Sequence, residues 1–217
     1  MLPKVALLVS VFLSASLPVL GAGTWPQWRG PDRDGRVPGD KWPSQLGESH
    51  LKLKWRVPLG PSYSGPIVTP DRVFTTETAD AQLEVVRALD RKTGKELWKY
   101  DPKTIEAAGD RLRVMWDSNR GVAYWKGRIF VATADGRLNA IDATTGKEVW
   151  SVKTSGQTES SPTVANGKLY IGAGNDGVYC FDAKTGKEIW KYPGKNYKGR
   201  LLRYGGGIVV LGHRLYC

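Results

Sequence analysis

Cysteine and histidine are scarce in this chain of 217 residues, two of each, and that scarcity excludes several kinds of chemistry. Cys180 and Cys217 are too few for a disulfide framework, and whether the two pair with each other stays open. His50 and His213 lie far apart, and Glu48 beside the one and Cys217 beside the other are too few to complete a four-ligand set, which argues against a zinc site and against a Ser-His-Asp hydrolase. No GxxxxGKS/T loop occurs, and the one GxGxxG spacing, Gly172, Gly174 and Gly177, falls on a hairpin tip and not at the start of a helix, so it does not read as a phosphate loop. Acidic residues are also few, 21 Asp+Glu against 32 Lys+Arg, giving a formal charge of +11. A long hydrophobic run is missing too. The apolar stretch Val5 to Leu13 is followed by Ser14, Ser16 and Pro18, short of the roughly 20 apolar residues that a spanning helix needs.

What is present points elsewhere. A hydrophobic content of 41% excludes a disordered polyelectrolyte, and the composition excludes a collagen-like fibre. Lys4, the apolar Val5 to Leu13 and the small residues Gly21-Ala22-Gly23 form the pattern of a secretory signal peptide, with cleavage expected after Ala22. The chain then divides into a signal peptide at 1–22, an N-terminal lead-in segment at 23–51 and a repeat domain at 52–217. This predicts a secreted or periplasmic protein with no membrane span after cleavage. The 26 glycines and nine tryptophans suggest many short strands closed by tight turns and packed on indole rings.

The repeat carries the fold. Ala88 to Trp98, Ala140 to Trp150 and Cys180 to Trp190 share the pattern AxDxxTGKxxW with small variations. Asp90, Asp142 and Asp182 are placed to accept hydrogen bonds from amides two or three residues on, and Gly94, Gly146 and Gly186 to supply a positive φ. Each motif therefore reads as a hairpin with a tryptophan on its second strand. Leu53 to Val57 matches the end of the motif, with Trp55 in the indole position. The tryptophans at 55, 98, 150 and 190 are 43, 52 and 40 residues apart, the middle interval carrying an insertion around Asp101 to Trp116.

Two further strands precede each motif. They are Gly65 to Val68 and Arg72 to Thr75, then Gly121 to Tyr124 and Arg128 to Ala132, then Ser161 to Ala165 and Lys168 to Gly172 with an Asn166-Gly167 turn. Four short strands in about 40 residues make a β-propeller blade. The expected fold class is all-β, a partial β-propeller of four-stranded antiparallel blades, three of them plus an unfinished fourth. In the fourth, Leu201 to Tyr204, Ile208 to Gly212 and Arg214 to Cys217 read as the first three strands, and the chain stops where the next Asp-turn-Trp hairpin is due.

The remaining patterns are structural. Asp32-Arg33-Asp34-Gly35 lacks the Glu of a calcium loop, and Asp135-Gly136 and Asn175-Asp176-Gly177 read as hairpin tips. Lys95, Lys147 and Lys187 each precede a Glu, whereas Lys195, Lys198, Arg200, Arg203 and Arg214 have no acidic residue among them. That basic C-terminal stretch suits an anionic polymer, and export argues against nucleic acid.

The three AxDxxTGKxxW copies resemble the tryptophan-docking repeat of pyrroloquinoline-quinone (PQQ)-type β-propellers over roughly Lys52 to Cys217. Trp25 to Gly35 (WPQWRGPDRDG) is similar to the start of exported members. The resemblance implies that Trp98, Trp150 and Trp190 pack on neighbouring blades. The family holds both quinoprotein alcohol dehydrogenases, which bind PQQ and Ca²⁺ on the central axis, and non-catalytic members such as the propeller lipoprotein of outer-membrane barrel assembly. Asn119 to Trp125 is similar to the dehydrogenases' AsnArgGly segment, and the resemblance would make Arg120 the contact to a quinone carboxylate. Val114-Met115 stands where those enzymes carry a cysteine pair, and Ile171 to Tyr179 lacks their calcium-binding Glu. The sequence therefore predicts a binding or scaffold protein without a catalytic site, metal or cofactor, using blade edges for an envelope or secreted partner or for self-association. The alternative is a fragment of a PQQ-dependent alcohol dehydrogenase-like oxidoreductase.

Overall fold

The computed structural model describes residues 23–27, 29–31, 34–37, 44–80, 82–109, 121–158, 160–174, 176–193, 196–197, 200–201, 207–211 and 214–216. Three four-stranded antiparallel sheets follow one another along the chain. The first blade consists of β1 (Ile67–Val68), β2 (Arg72–Ala79), β3 (Gln82–Asp90) and β4 (Glu96–Tyr100). A short helix, α1 (Thr104–Ala108), lies in the predicted insertion. The second blade is β5 (Val122–Trp125), β6 (Arg128–Ala132), β7 (Arg137–Asp142) and β8 (Glu148–Lys153). The third is β9 (Thr163–Ala165), β10 (Lys168–Gly172), β11 (Gly177–Asp182) and β12 (Glu188–Pro193). Two hairpins come after it, β13 (Asn196–Tyr197) with β14 (Arg200–Leu201) and β15 (Val209–Leu211) with β16 (Arg214–Tyr216). The all-β propeller architecture expected from the repeat is present.

The three motif hairpins are built alike. Asp142 Oδ1 accepts the Thr144 amide at 3.0 Å, the Thr145 amide at 2.7 Å and the Thr145 hydroxyl at 2.9 Å. Asp90 and Asp182 make the same three bonds within their own turns. Gly94, Gly146 and Gly186 take φ values of 76, 74 and 75°. Each hairpin also shifts register at one place, between Ala88 and Leu89, Ala140 and Ile141, and Cys180 and Phe181. Asn166 and Gly167, with φ of 51 and 74°, form the predicted two-residue turn between β9 and β10.

The core lies between blades, because the middle strands are buried on both faces and so read as continuous apolar runs. In β6, Ile129 and Val131 face the first blade, where they pack with Ile67, Phe74, Val86 and Ala88. Phe130 and Ala132 face the third blade and meet Leu169, Ile171, Tyr179 and Phe181. Tyr170, Val178 and Cys180 repeat the arrangement against Ile208, Val210 and Leu215. Cys180 is buried in that contact, and Cys217 lies outside the described residues.

The fourth blade differs from the sequence expectation in its register. β15 lies against β9 as β9 lies against β5 and β5 against β1. It is therefore the innermost strand of its blade, and β16 is the second strand, not the third. The pairing Leu211↔Arg214, Val210↔Leu215 reproduces Ala165↔Lys168, Val164↔Leu169 of the third blade. The Thr163 hydroxyl fixes this placement by donating to the Ile208 carbonyl at 2.6 Å.

Candidate functional site

The strongest repeated contact joins each tryptophan to the following turn. A Cβ built on Gly94 would lie 2.7 Å from the Trp55 ring, one on Gly146 2.8 Å from Trp98, and one on Gly186 2.8 Å from Trp150. Only glycine lets an indole lie this close to the turn backbone. The Trp55 and Trp98 N–H groups donate to the Arg91 and Ala143 carbonyls at 2.9 and 3.1 Å. At the third turn the equivalent Ala183 carbonyl accepts from the Arg128 guanidinium at 3.2 Å, and the buried Trp150 N–H has no partner. Within each blade the outer tryptophan also meets an aromatic ring or Phe of the second strand: Phe74–Trp98 at 5.8 Å, Phe130–Trp150 at 5.7 Å and Tyr170–Trp190 at 6.0 Å. Leu53 to Val57 supplies Trp55 as the sequence suggested, but outside any sheet.

The outer strands share a second feature. Leu97, Val149 and Ile189, the residues just before each tryptophan, are 43%, 44% and 46% exposed. Among the described residues these three outer strands pair on one side only, and each apolar side chain sits at the register shift of its hairpin. The sequence carries this signal as an apolar residue at one motif position in all three copies.

The inner strands begin at one end of the propeller axis, and their first residues converge. Gly121 is buried with φ of 116°, and a Cβ on it would lie 3.1 Å from Ser64 Oγ, 3.6 Å from the Gly65 carbonyl and 3.8 Å from Ser161 Oγ. The Thr158 hydroxyl is bonded to the Thr133 carbonyl, and Ser160 Oγ accepts the Gly172 amide at 3.4 Å. Arg120, the candidate quinone contact, precedes Gly121 but lies outside the described residues, as does Val114-Met115.

Near this end sits the most perturbed carboxylate of the described residues. Glu84, at the start of β3, is buried and holds a φ of 63°. Its two oxygens accept the Ala134 amide at 2.9 and 3.1 Å, and one accepts the Thr104 hydroxyl at 2.9 Å. Burial pushes its carboxyl up to about 7. Arg137 adds a bond to the Pro102 carbonyl at 2.7 Å and an ion pair to Asp135 at 2.5 Å. On the third blade, Asp176 holds Lys191 Nζ at 2.7 Å and the Tyr179 hydroxyl, while Lys191 lies 4.9 Å from the Tyr179 ring centre.

Other residues singled out in the sequence stay apart. His50 is exposed in a turn whose Gly47 amide its ring accepts at 3.4 Å. Asp34 accepts the Arg36 amide at 2.8 Å, Asp135 closes the β6–β7 turn, and Asp176 sits in the β10–β11 turn. Among the described residues no group of three or more His, Cys, Asp or Glu side chains is placed to hold a metal ion. Arg214 is exposed; Lys195, Lys198 and Arg203 lie outside the described residues. The signal-peptide reading concerns residues 1–22, which also lie outside them. No helix among the described residues is long and apolar enough to cross a membrane.

Residues 82–216 match the family model described as Outer membrane protein assembly factor BamB, a PQQ-repeat propeller model. The chain belongs to this family. It is also 42% identical over 104 residues to the quinohemoprotein alcohol dehydrogenase ADH-IIG of Pseudomonas putida, an overlap covering 46% of this chain and 13% of that enzyme. Against the solved structure of that dehydrogenase the TM-score is 0.55 with 37% identity, covering 64% of this chain and 22% of the other. BamB of Moraxella catarrhalis shares the fold at a TM-score of 0.55 with 20% identity, covering 75% of this chain and 44% of its own. The chain therefore spans a small part of the length of the curated relatives it matches.

Proposed function

We propose that this chain is an exported PQQ-repeat propeller that binds other proteins through the outer edges of its blades and has no catalytic site of its own. The observation that carries the reading is the row of Leu97, Val149 and Ile189 on three outer edges. An outer edge offers amides and carbonyls, and the exposed apolar side chain at the register shift of each one adds a flat contact for a partner surface. The fold shared with BamB supports a binding role as well. In the test, a Leu97→Lys/Val149→Lys/Ile189→Lys variant and the parent chain are each used to capture envelope proteins under identical conditions. The proposal expects a specific partner with the parent that the triple variant loses while its far-UV circular dichroism is unchanged. Equal capture by both proteins overturns the edge assignment.

A second reading is a piece of a quinoprotein alcohol dehydrogenase, favoured by the 42% identity to ADH-IIG. PQQ would supply hydride-accepting redox chemistry there, with Arg120 paired to a quinone carboxylate. Among the described residues, the axial end presents Ser64, Gly65, Gly121 and Ser161. These do not make up the six to eight oxygen donors that Ca²⁺ takes, so no reaction step follows from them. Incubation with PQQ, Ca²⁺, ethanol and an artificial electron acceptor separates the readings. Sustained dye reduction establishes the dehydrogenase reading and removes the scaffold one.

A further inference from the structure

We infer that Glu84 is a proton-operated latch that holds the α1 segment onto the first and second blades, tightly when the carboxyl is neutral and loosely when it is charged. Three separate parts of the chain meet at this side chain. Glu84 itself belongs to β3 of the first blade, the Thr104 hydroxyl to the first residue of α1, and the Ala134 amide to the β6–β7 turn of the second blade. Its position is maintained against local preference, since a non-glycine residue at φ of 63° is disfavoured in a strand.

The chemistry of the two protonation states differs in one respect. A neutral carboxyl satisfies both partners, accepting the Ala134 N–H on one oxygen and donating its own O–H to Thr104 Oγ1. A carboxylate also accepts both hydrogen bonds, and the Ala134 amide and the Thr104 hydroxyl favour its charge, but the cost of taking that charge out of water outweighs them. The charged groups around it compensate poorly. From the second blade, Asp135 opposes the charge and Arg137 favours it, but Arg137 is committed to Asp135 and to the Pro102 carbonyl. From the α1 side, Lys103 is paired with Asp101 at 2.9 Å and with Glu106 at 3.8 Å. On β3, Arg87 is taken by Glu96 at 2.6 Å and Glu77 at 3.4 Å.

The direction follows by linkage. Opening the latch returns Glu84 to water and to its ordinary value of 4.5, while closing it raises the value to about 7. Closure is thus favoured at low pH and weakened as pH rises from 4.5 through 7. Between pH 5.5 and 8.5 the closing equilibrium is expected to weaken about 30-fold. The surface at α1 then differs between acidic and alkaline surroundings, a switch of the kind in which a small charge change biases a two-state element.

The test uses the full chain. Carbon-13 NMR of the Glu84 carboxyl should titrate with a midpoint near 7; a midpoint near 4.5 removes the basis of the latch. Hydrogen exchange of the Ala107 amide, which donates to the Lys103 carbonyl at 2.9 Å, reports on α1 directly. After correction for the intrinsic pH dependence of exchange, its protection should fall about 30-fold between pH 5.5 and 8.5, while the Phe130 amide in the core stays constant. In Glu84→Gln, whose amide imitates the neutral acid, Ala107 protection should be high and flat with pH. A parallel pH response in Glu84→Gln, or none in the parent, overturns the proposal. If Glu84→Gln does not fold, Thr104→Val serves instead: it should lower Ala107 protection at pH 5.5 without moving Phe130.

Discussion

Replacing Gly146 with alanine separates the two physical demands that the repeated turn makes. The first is backbone conformation. Gly146 has φ of 74°, and an L-residue held in the left-handed region costs about 1–2 kcal/mol. The second is space, because the new Cβ would lie 2.8 Å from the Trp98 ring. The indole must then move, weakening its 3.1 Å bond to the Ala143 carbonyl and its packing on Phe74. Losing the hydrogen bond costs about 1 kcal/mol, and displacing the ring forfeits part of the roughly 3–5 kcal/mol that a buried tryptophan contributes. The expected total is about 3–5 kcal/mol. Gly127 provides the control, since its φ is 78° but nothing lies within 4 Å of an added Cβ. Gly127→Ala should therefore cost only the conformational part, about 1–2 kcal/mol. Urea unfolding of the full chain, followed by circular dichroism and compared at constant m, measures both. In a Trp98→Ala background the Gly146→Ala cost should fall to that of Gly127→Ala, a coupling of about 1–3 kcal/mol. Equal costs for the two glycine variants in the parent chain, or no coupling with Trp98, would refute the argument.

Two further outcomes follow from the same geometry. Arg128→Ala releases the Ala183 carbonyl, and the unpartnered Trp150 N–H then has the acceptor that Trp55 and Trp98 use in their own turns. Its indole nitrogen resonance should move toward those of Trp55 and Trp98 in a ¹⁵N spectrum, with net stability changed by less than about 1 kcal/mol; an unmoved Trp150 resonance contradicts this exchange of partners. Asp90, Asp142 and Asp182 are held below their ordinary 3.8 by the hydroxyl and amide of Thr93, Thr145 and Thr185. Depressed carboxyl values stabilise the fold above 3.8, and that stability is lost as pH falls through the folded-state values. Replacing all three with asparagine should make the acid limb of the stability–pH curve shallower below pH 3.8; an unchanged limb would show that these turns do not drive acid unfolding.

The parts legible in the sequence are those whose physics is local. An Asp, a Thr three residues on and a Gly one further specify the turn wherever they occur, so the three hairpins and the Asn166-Gly167 turn follow from the residues alone. Propeller topology follows because each tryptophan needs a turn of its own kind to cover. The fourth blade departs from its sequence expectation for a local reason too. ArgLeuTyrCys resembles both GlyValTyrCys and LysLeuTyrIle, and the connecting Gly212-His213 lacks the Asn-Gly pair that marks β9–β10. Glu84 was not legible. In LeuGluValVal it reads as a polar residue on an exposed strand face, and its partners Thr104 and Ala134 are 20 and 50 residues away. Arg128 was hidden in the same way, since its acceptor is 55 residues on in another blade.

A blade is therefore the unit of sequence but not the unit of stability. Each core cluster takes residues from two neighbouring blades, so deleting a contact on one face of β6 acts on the first blade and on the other face acts on the third. The tryptophans measure what one interface contributes. Trp98 and Trp150 lie under the turns at Gly146 and Gly186 and are half-buried, whereas Trp190, which meets no such turn among the described residues, is 37% exposed. The same residue in the same motif thus spans the range from inter-blade packing to exposed surface. The glycine that approaches the ring face recurs at Trp55, Trp98 and Trp150, whereas the carbonyl that accepts the indole N–H is present only at Trp55 and Trp98 among the described residues.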